Sequence, residues 1–156
     1  MAKKITTLCI VHQHPRILLG MKKRGFGAGK WNGFGGKLLE GETPEQAAKR
    51  ELQEEAGIIV SDLERMGVID FIWPDGEGDQ EVHIFKAGNY ASKIRESEEM
   101  LPLWFHVDEI PFESMWPDDK YWLPLFLEGK KFSGQCFFDE SGVKIKKIFI
   151  EENENF

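Results

Sequence analysis

An α/β fold, with a mixed β-sheet between helices, is the architecture this sequence predicts, and three observations predict it. Apolar runs of strand length recur along most of the chain. Complete helix signals occur in only two places, residues 44–56 and about 117–128. A composition of 41% apolar and 12% aromatic over 156 residues supports one domain with a sizeable core, so residues 1–156 are read as a single unit.

Residues 4–12 read as a buried strand, and His14-Pro15 turns the chain into a second run over residues 16–21. Residues 22–37, KKRGFGAGKWNGFGGK, hold six glycines among sixteen residues, which means tight turns and close backbone approach. The segment matches neither the P-loop nor the dinucleotide fingerprint in residue order or context. After the first helix, residues 66–73 form a strand whose Phe71 and Trp73 share one face, PDGEGDQ at 74–80 is a turn, and residues 81–90 return to complete a hairpin. A polar connection over 91–100 leads to a strand at 101–107. Pro117 suits a helix start, with Asp118 and Asp119 complementing its dipole, Trp116, Tyr121 and Trp122 packing inward, and Pro124 shortening it. Residues 132–138 and 143–150 pattern as a last hairpin, followed by an exposed, mobile tail, EENENF.

The helix over 44–56 is the most fully specified element. Thr43 caps it, Pro44 suits its first position, Gln46 stands where a capping-box partner belongs, and Gly57 ends it in the left-handed conformation. Ala48, Leu52 and Ala56 make a row that can bury, with Ala47 leaving the neighbouring acidic face uncrowded. Glu51, Glu54 and Glu55, spaced i, i+3, i+4, fall within roughly a 100° arc. Three such carboxylates repel one another and, on their own, describe a solvated face as readily as a metal site. Arg50 offsets part of the repulsion, and a hard divalent cation, Mg²⁺ or Mn²⁺, could offset the rest.

The stretch from Gly36 to Ile58, GKLLEGETPEQAAKRELQEEAGI, resembles the Nudix box at every defining position: Gly36, Glu42, Arg50, Glu51, Leu52, Glu54, Glu55, Gly57 and Ile58. The resemblance implies the Nudix α/β/α sandwich and a pyrophosphohydrolase of nucleoside diphosphates linked to another group. It implies Mg²⁺ held by Glu51, Glu54 and Glu55, with Glu55 or Glu51 as the base that takes a proton from water. From residue 20 through the glycine-rich segment the chain is similar to the MutT-homologue purine triphosphatases of animals, which sanitise oxidised dGTP and dATP. That likeness implies that Asn32 hydrogen-bonds the purine, that Phe26 and Phe34 wall its pocket, and that the Gly35 carbonyl, next to Gly36, contacts metal. It sets Thr7 against the purine, although a strand threonine is ordinarily structural.

Lys22, Lys23 and Arg24 read as an exposed basic run, yet Lys22 or Lys37 beside a triphosphate site could neutralise phosphate. Phe71 and Trp73 read equally as core or as lining of the purine pocket. The resemblance at MWPDD, residues 115–119, puts Trp116, Pro117, Asp118 and Asp119 at the base, with Trp116 stacking and the two acids at its edge. By position it also makes Glu99 a further metal ligand. Two adjacent carboxylates beside an aromatic pocket are hard to ionise together, so one is expected to keep its proton.

The net charge of −7 and pI near 5.2 argue against binding of nucleic-acid polymer. Neither a signal peptide nor a membrane span is visible, and Cys9 and Cys136 read as buried free thiols of a reducing compartment. The expected protein is a monomeric hydrolase of small nucleotides, cytoplasmic with nuclear and mitochondrial pools. ADP-ribose, a dinucleoside polyphosphate or capped RNA are alternative substrates, and a nucleotide sensor without turnover is the alternative class.

Overall fold

The computed structural model describes residues 3–156. Its elements in order are β1 (Lys4–Gln13), β2 (Arg16–Lys22), β3 (Trp31–Asn32), α1 (Pro44–Ala56), β4 (Glu64–Ile72), β5 (Gln80–Ala87) and β6 (Met100–His106). A 3₁₀ turn (Phe112–Ser114), α2 (Asp119–Leu127), β7 (Phe132–Phe138) and β8 (Ile145–Glu152) complete the chain. The strands make one sheet in the order β3-β2-β1-β5-β4-β7-β8, with β6 on the other edge of β2. β1 pairs parallel with β5 and β4 with β7, while the remaining pairs are antiparallel, so the sheet is mixed.

Period-two alternation gives each face of the sheet its own core. Cys9 and Val11 of β1 pack with Leu18, Phe85 and the α1 row Ala48, Leu52 and Ala56. Ile10, between them, faces the other way and packs with Ile17, Ile84, Phe132 and the α2 residues Trp122, Leu123 and Phe126. The helices therefore cover opposite faces, and the predicted α/β/α sandwich is observed. Among the described residues no helix is long and apolar enough to cross a membrane. Both cysteines are buried free thiols.

Several local expectations are corrected. Ala47 is fully buried, so the α1 side next to the acids is packed against the protein. α2 opens at Asp119, not at Pro117, and Asp118 makes no side-chain cap. Asp118 lies in the helical region at φ −74° and ψ −25°, not in the extended conformation of a capping residue, and its Oδ2 accepts from Trp122 Nε1 at 2.8 Å. Tyr121 points outward, 45% exposed. The tail is partly structured: β8 includes Glu151 and Glu152, and Asn153 donates from its backbone to Lys131 O at 2.9 Å and from its side chain to Ser133 Oγ at 2.9 Å.

The glycine-rich segment positions the site by splitting the sheet. β1 and β2 pair only from Val11↔Leu18 to Gln13↔Arg16. Beyond that the segment enters between them: β3 takes Gly20 and Met21 of β2, while Phe34 and Lys37 bridge to Cys9 and Thr6 of β1. Phe34 and Cys9 exchange backbone hydrogen bonds at 2.6 and 2.8 Å, and Thr7 N–H donates to Gly36 O at 2.9 Å. A Cβ on Gly33 would lie 2.8 Å from Cys9 O, and one on Gly35 would fall on the Thr7 carbonyl. Backbone meets backbone here with no room for a side chain.

Gly35→Ala should therefore destabilise the fold by about 3 kcal/mol in chemical denaturation. Gly88→Ala, where an added Cβ meets nothing within 4 Å, should be neutral or slightly stabilising. Equal, small effects at the two positions would contradict the close approach.

Candidate active site

The acid side of α1 is held by its caps and by one arginine. Thr43 Oγ1 accepts from Gln46 N–H at 3.2 Å, Gln46 Oε1 accepts from Thr43 N–H at 2.9 Å, and Gly57 ends the helix at φ 70°. Arg50 donates to both oxygens of Glu42, at 2.7 and 3.0 Å, and to Lys37 O at 3.1 Å. It also reaches Glu51 at 2.9 Å and Glu54 at 3.3 Å. One guanidinium thus joins the loop to the helix and partly neutralises three carboxylates. Its hydrogen bond, helped by the Leu39 N–H, holds the Glu42 carboxyl below the usual range.

Glu55 is set differently. Its Oε1 accepts from Gly35 N–H at 2.8 Å, tying α1 to the split strands. Burial, and then the charge of Glu51, push its carboxyl up to about 8 against the opposing pull of Gly35 N–H and Lys22. Glu54 is 58% exposed. Glu99 lies apart from this group, with Arg24 donating to its Oε1 from Nε at 3.0 Å and from Nη2 at 2.6 Å.

The expected convergence of Glu51, Glu54, Glu55 and Glu99 is therefore not assembled. Among the described residues no three of His, Cys, Asp and Glu are gathered to hold a metal. Like charges separate unless something compensates them, and here Arg50 takes Glu51 and Glu54 while Arg24 takes Glu99. The donor chemistry nonetheless fits a hard divalent cation, because every candidate ligand is a carboxylate or carbonyl oxygen. Burial first, and the charge of Glu51 second, disfavour the ionised form of Glu55, and a nearby cation would favour it.

At the split of the sheet lies a cavity of about 300 Å³. Glu55, Lys22 and Lys37 border it near the helix, and Trp116, Asp118 and Asp119 border it near α2. Phe26 and Trp116 pack with ring centroids 5.2 Å apart. On another wall Trp73 stacks on Phe138 at 4.7 Å and 13°, and Trp73 Nε1 donates to Gly142 O at 3.1 Å. The two walls offer aromatic surface of the kind a planar base stacks on. Asn32 Oδ1 accepts from Gly33 N–H at 2.9 Å, which fixes the amide.

Asp118 and Asp119 are almost wholly buried, and Asp119 Oδ2 has no hydrogen-bond partner. Burial raises both carboxyls, and the charge of Asp118 raises Asp119 further, well above the usual range. The pair retains a proton where isolated aspartates would not.

Gly35, Gly36, Phe71 and Thr7 also border the cavity, so of the expected wall residues only Phe34 and Pro117 do not. Phe34 sits opposite Cys9 in an antiparallel bridge and so shares its face, buried against α1. Pro117 is passed over as the chain turns between Trp116 and Asp118. Thr7 borders the cavity, but its hydroxyl donates to Gly36 O at 3.4 Å. Thr6 and Leu8, the alternate residues of β1, were the ones to expect there. Gln80, Val82 and Phe138 also border the cavity, brought in by strand pairing that carries no local sequence signal.

Because the folded carboxyl of Asp119 is raised, the folded state keeps a proton that the unfolded chain loses above about pH 4. The stability cost is absent below that pH and grows as pH rises toward neutrality. Asp119→Asn should thus gain thermal stability over the parent between pH 5 and 8 and lose that advantage near pH 4. Parallel melting profiles across this range would contradict the buried, proton-bearing pair.

The profile of the NUDIX domain matches residues 2–126. The chain is 53% identical over 153 residues to the oxidized purine nucleoside triphosphate hydrolase of Mus musculus, covering 98% of this chain and 97% of that one. It is 52% identical over 143 residues to the protein of the same name from Danio rerio, 92% of each chain. Of solved structures, the mutator MutT protein of Bacillus halodurans superposes with a TM-score of 0.84 at 27% identity, covering 95% of this chain and 97% of that one. The chain belongs to the Nudix family.

Proposed function

We propose that this protein hydrolyses oxidised purine nucleoside triphosphates, such as 8-oxo-dGTP and 2-oxo-dATP, to the monophosphate and pyrophosphate. A single observation carries this: one cavity runs from a buried, proton-bearing aspartate pair between aromatic walls to Glu55 and Lys22 at the acid face of α1. A base and its phosphates need those two environments at the two ends of one site. The names of the mouse and Danio relatives, at 53% and 52% identity, support the same substrate class.

The base is held by stacking on Trp116 and Phe26 and by polar contacts to Asn32, Asp118 and Asp119. One of the aspartates donates while the other accepts, so shifting their shared proton matches the pair to an oxidised guanine or an oxidised adenine. Lys22 and Lys37 counter phosphate charge. Glu51, Glu54, Glu55 and the Gly35 carbonyl would hold Mg²⁺, with Mn²⁺ as a substitute, and Glu99 would join them on release from Arg24. When bound, such an ion neutralises phosphate charge and lowers the pKa of a water. Glu51, or Glu55 in its ionised form, takes the proton of the attacking water. Gly35 N–H orients Glu55, and Arg50 keeps the loop and helix in register so that these groups meet the phosphates together. The working unit is taken as a monomer acting on free nucleotide, with no polymer or membrane as partner, in the cytoplasm and also in nucleus and mitochondrion.

Glu55→Gln should reduce turnover of 8-oxo-dGTP by at least about 100-fold in Mg²⁺ while the circular dichroism spectrum is retained. Near-normal release of monophosphate and pyrophosphate would remove Glu55 from the mechanism. Asp118→Asn and Asp119→Asn should each change the relative rates on 8-oxo-dGTP and 2-oxo-dATP. Unchanged ratios in both variants would contradict reading by a shared proton.

A further inference from the structure

Three polar side chains of β1 and β5 border the cavity: Thr6, Thr7 and Gln80. Thr7 spends its hydroxyl on Gly36 O, and the indole N–H of Trp73 is spent on Gly142 O. Thr6 Oγ1 donates to Gln80 Oε1 at 2.9 Å in a partly buried position. The register explains the meeting: β1 and β5 run parallel with Lys4 beside Gln80 and Thr6 beside Val82, and Phe71 of β4 lies opposite Gln80. Gln80 therefore shares the face of Phe71 and borders both the cavity and the shallow groove at its mouth.

A glutamine amide carries one acceptor oxygen and two N–H donors. With Oε1 committed to Thr6, the group left over is Nε2, for which no acceptor exists among the described residues. The wall beside Trp73 thus presents the free N–H donors of Nε2, while Thr6 takes one lone pair of Oε1 and fixes the amide. Asn32, Asp118 and Asp119 lie on other elements, so this donor addresses a part of the base that they do not.

We infer that Gln80 is a specificity-determining residue of the pocket, held by Thr6 as a positioning residue, whose amide donates to an exocyclic oxo group of the purine. The inference rests on the nucleotide reading given above. A carbonyl oxygen accepts from Nε2, whereas the C–H that the normal base carries at the same place leaves that N–H without an acceptor. Discrimination from one such contact is worth about 5- to 10-fold.

The test uses the 156-residue protein with two pairs of substrates that differ by one oxo group, 8-oxo-dGTP with dGTP and 2-oxo-dATP with dATP. Gln80→Leu should lower the oxidised-to-normal ratio of kcat/KM in at least one pair by about 5- to 10-fold, through KM with kcat little changed. Gln80→Glu, which offers an acceptor, should lower it further. Thr6→Val should give part of the effect and Thr6→Ser should restore the parent ratio. Binding of the corresponding monophosphates, followed by tryptophan fluorescence, should shift in parallel without needing turnover. If the parent prefers oxidised substrates and both Gln80 variants keep its ratios, or lower all four substrates equally, the inference is overturned alone. If the parent shows no preference for oxidised bases in hydrolysis or binding, the nucleotide reading falls and the inference falls with it.

Discussion

The close passage of the glycine-rich segment against β1 is the constraint on which the rest of the site depends. Gly33 and Gly35 press their backbone onto Cys9 and Thr7, where no side chain fits. That contact keeps β1 and β2 apart beyond Val11 and Leu18 and so opens the cavity. It also presents Gly35 N–H to Glu55, so the loop that shapes the pocket fixes the carboxylate at its far end. Gly36 belongs to the same device: a Cβ there would come within 2.8 Å of Glu51 Oε1. Geometry and charge are set by one backbone path.

Two acidic environments with different physics result. On α1 the carboxylates run from the mostly buried Glu42 and Glu51 to the exposed Glu54, and Arg50 counters all three. Beneath Trp116 the Asp118 and Asp119 pair is sealed from water, and its surplus charge is met with a proton. A polyanionic phosphate chain suits the first environment and a neutral heterocycle the second. The aromatic walls between them suit a flat ring.

Much of this was legible in the sequence where the causes are local. Thr43, Gln46 and Gly57 specify α1 to the residue, since capping is a contact between near neighbours. The strands, the two helices and most cavity residues could be read from period, turns and motif resemblance. What escaped is long-range. β3 is two residues long and exists only through β2. Phe34 was read as pocket wall from the family resemblance, but its antiparallel pairing with Cys9 turns it to the α1 core. Gln80 and Phe138 reach the cavity through parallel pairings that no local pattern announces. The pairing of Glu99 with Arg24, seventy-five residues apart in sequence, likewise has no local signal.

The central claim is that the far end of the cavity selects an oxidised purine while the acid face cleaves its phosphates. Product analysis by anion-exchange chromatography in Mg²⁺, comparing 8-oxo-dGTP and 2-oxo-dATP with dGTP and ADP-ribose, tests both halves together. The oxidised triphosphates should yield monophosphate and pyrophosphate far faster than the other two are cleaved. Preferential cleavage of ADP-ribose would contradict the claim, leaving the phosphate chemistry standing and removing the base recognition built on Asn32, Trp116, Asp118 and Asp119.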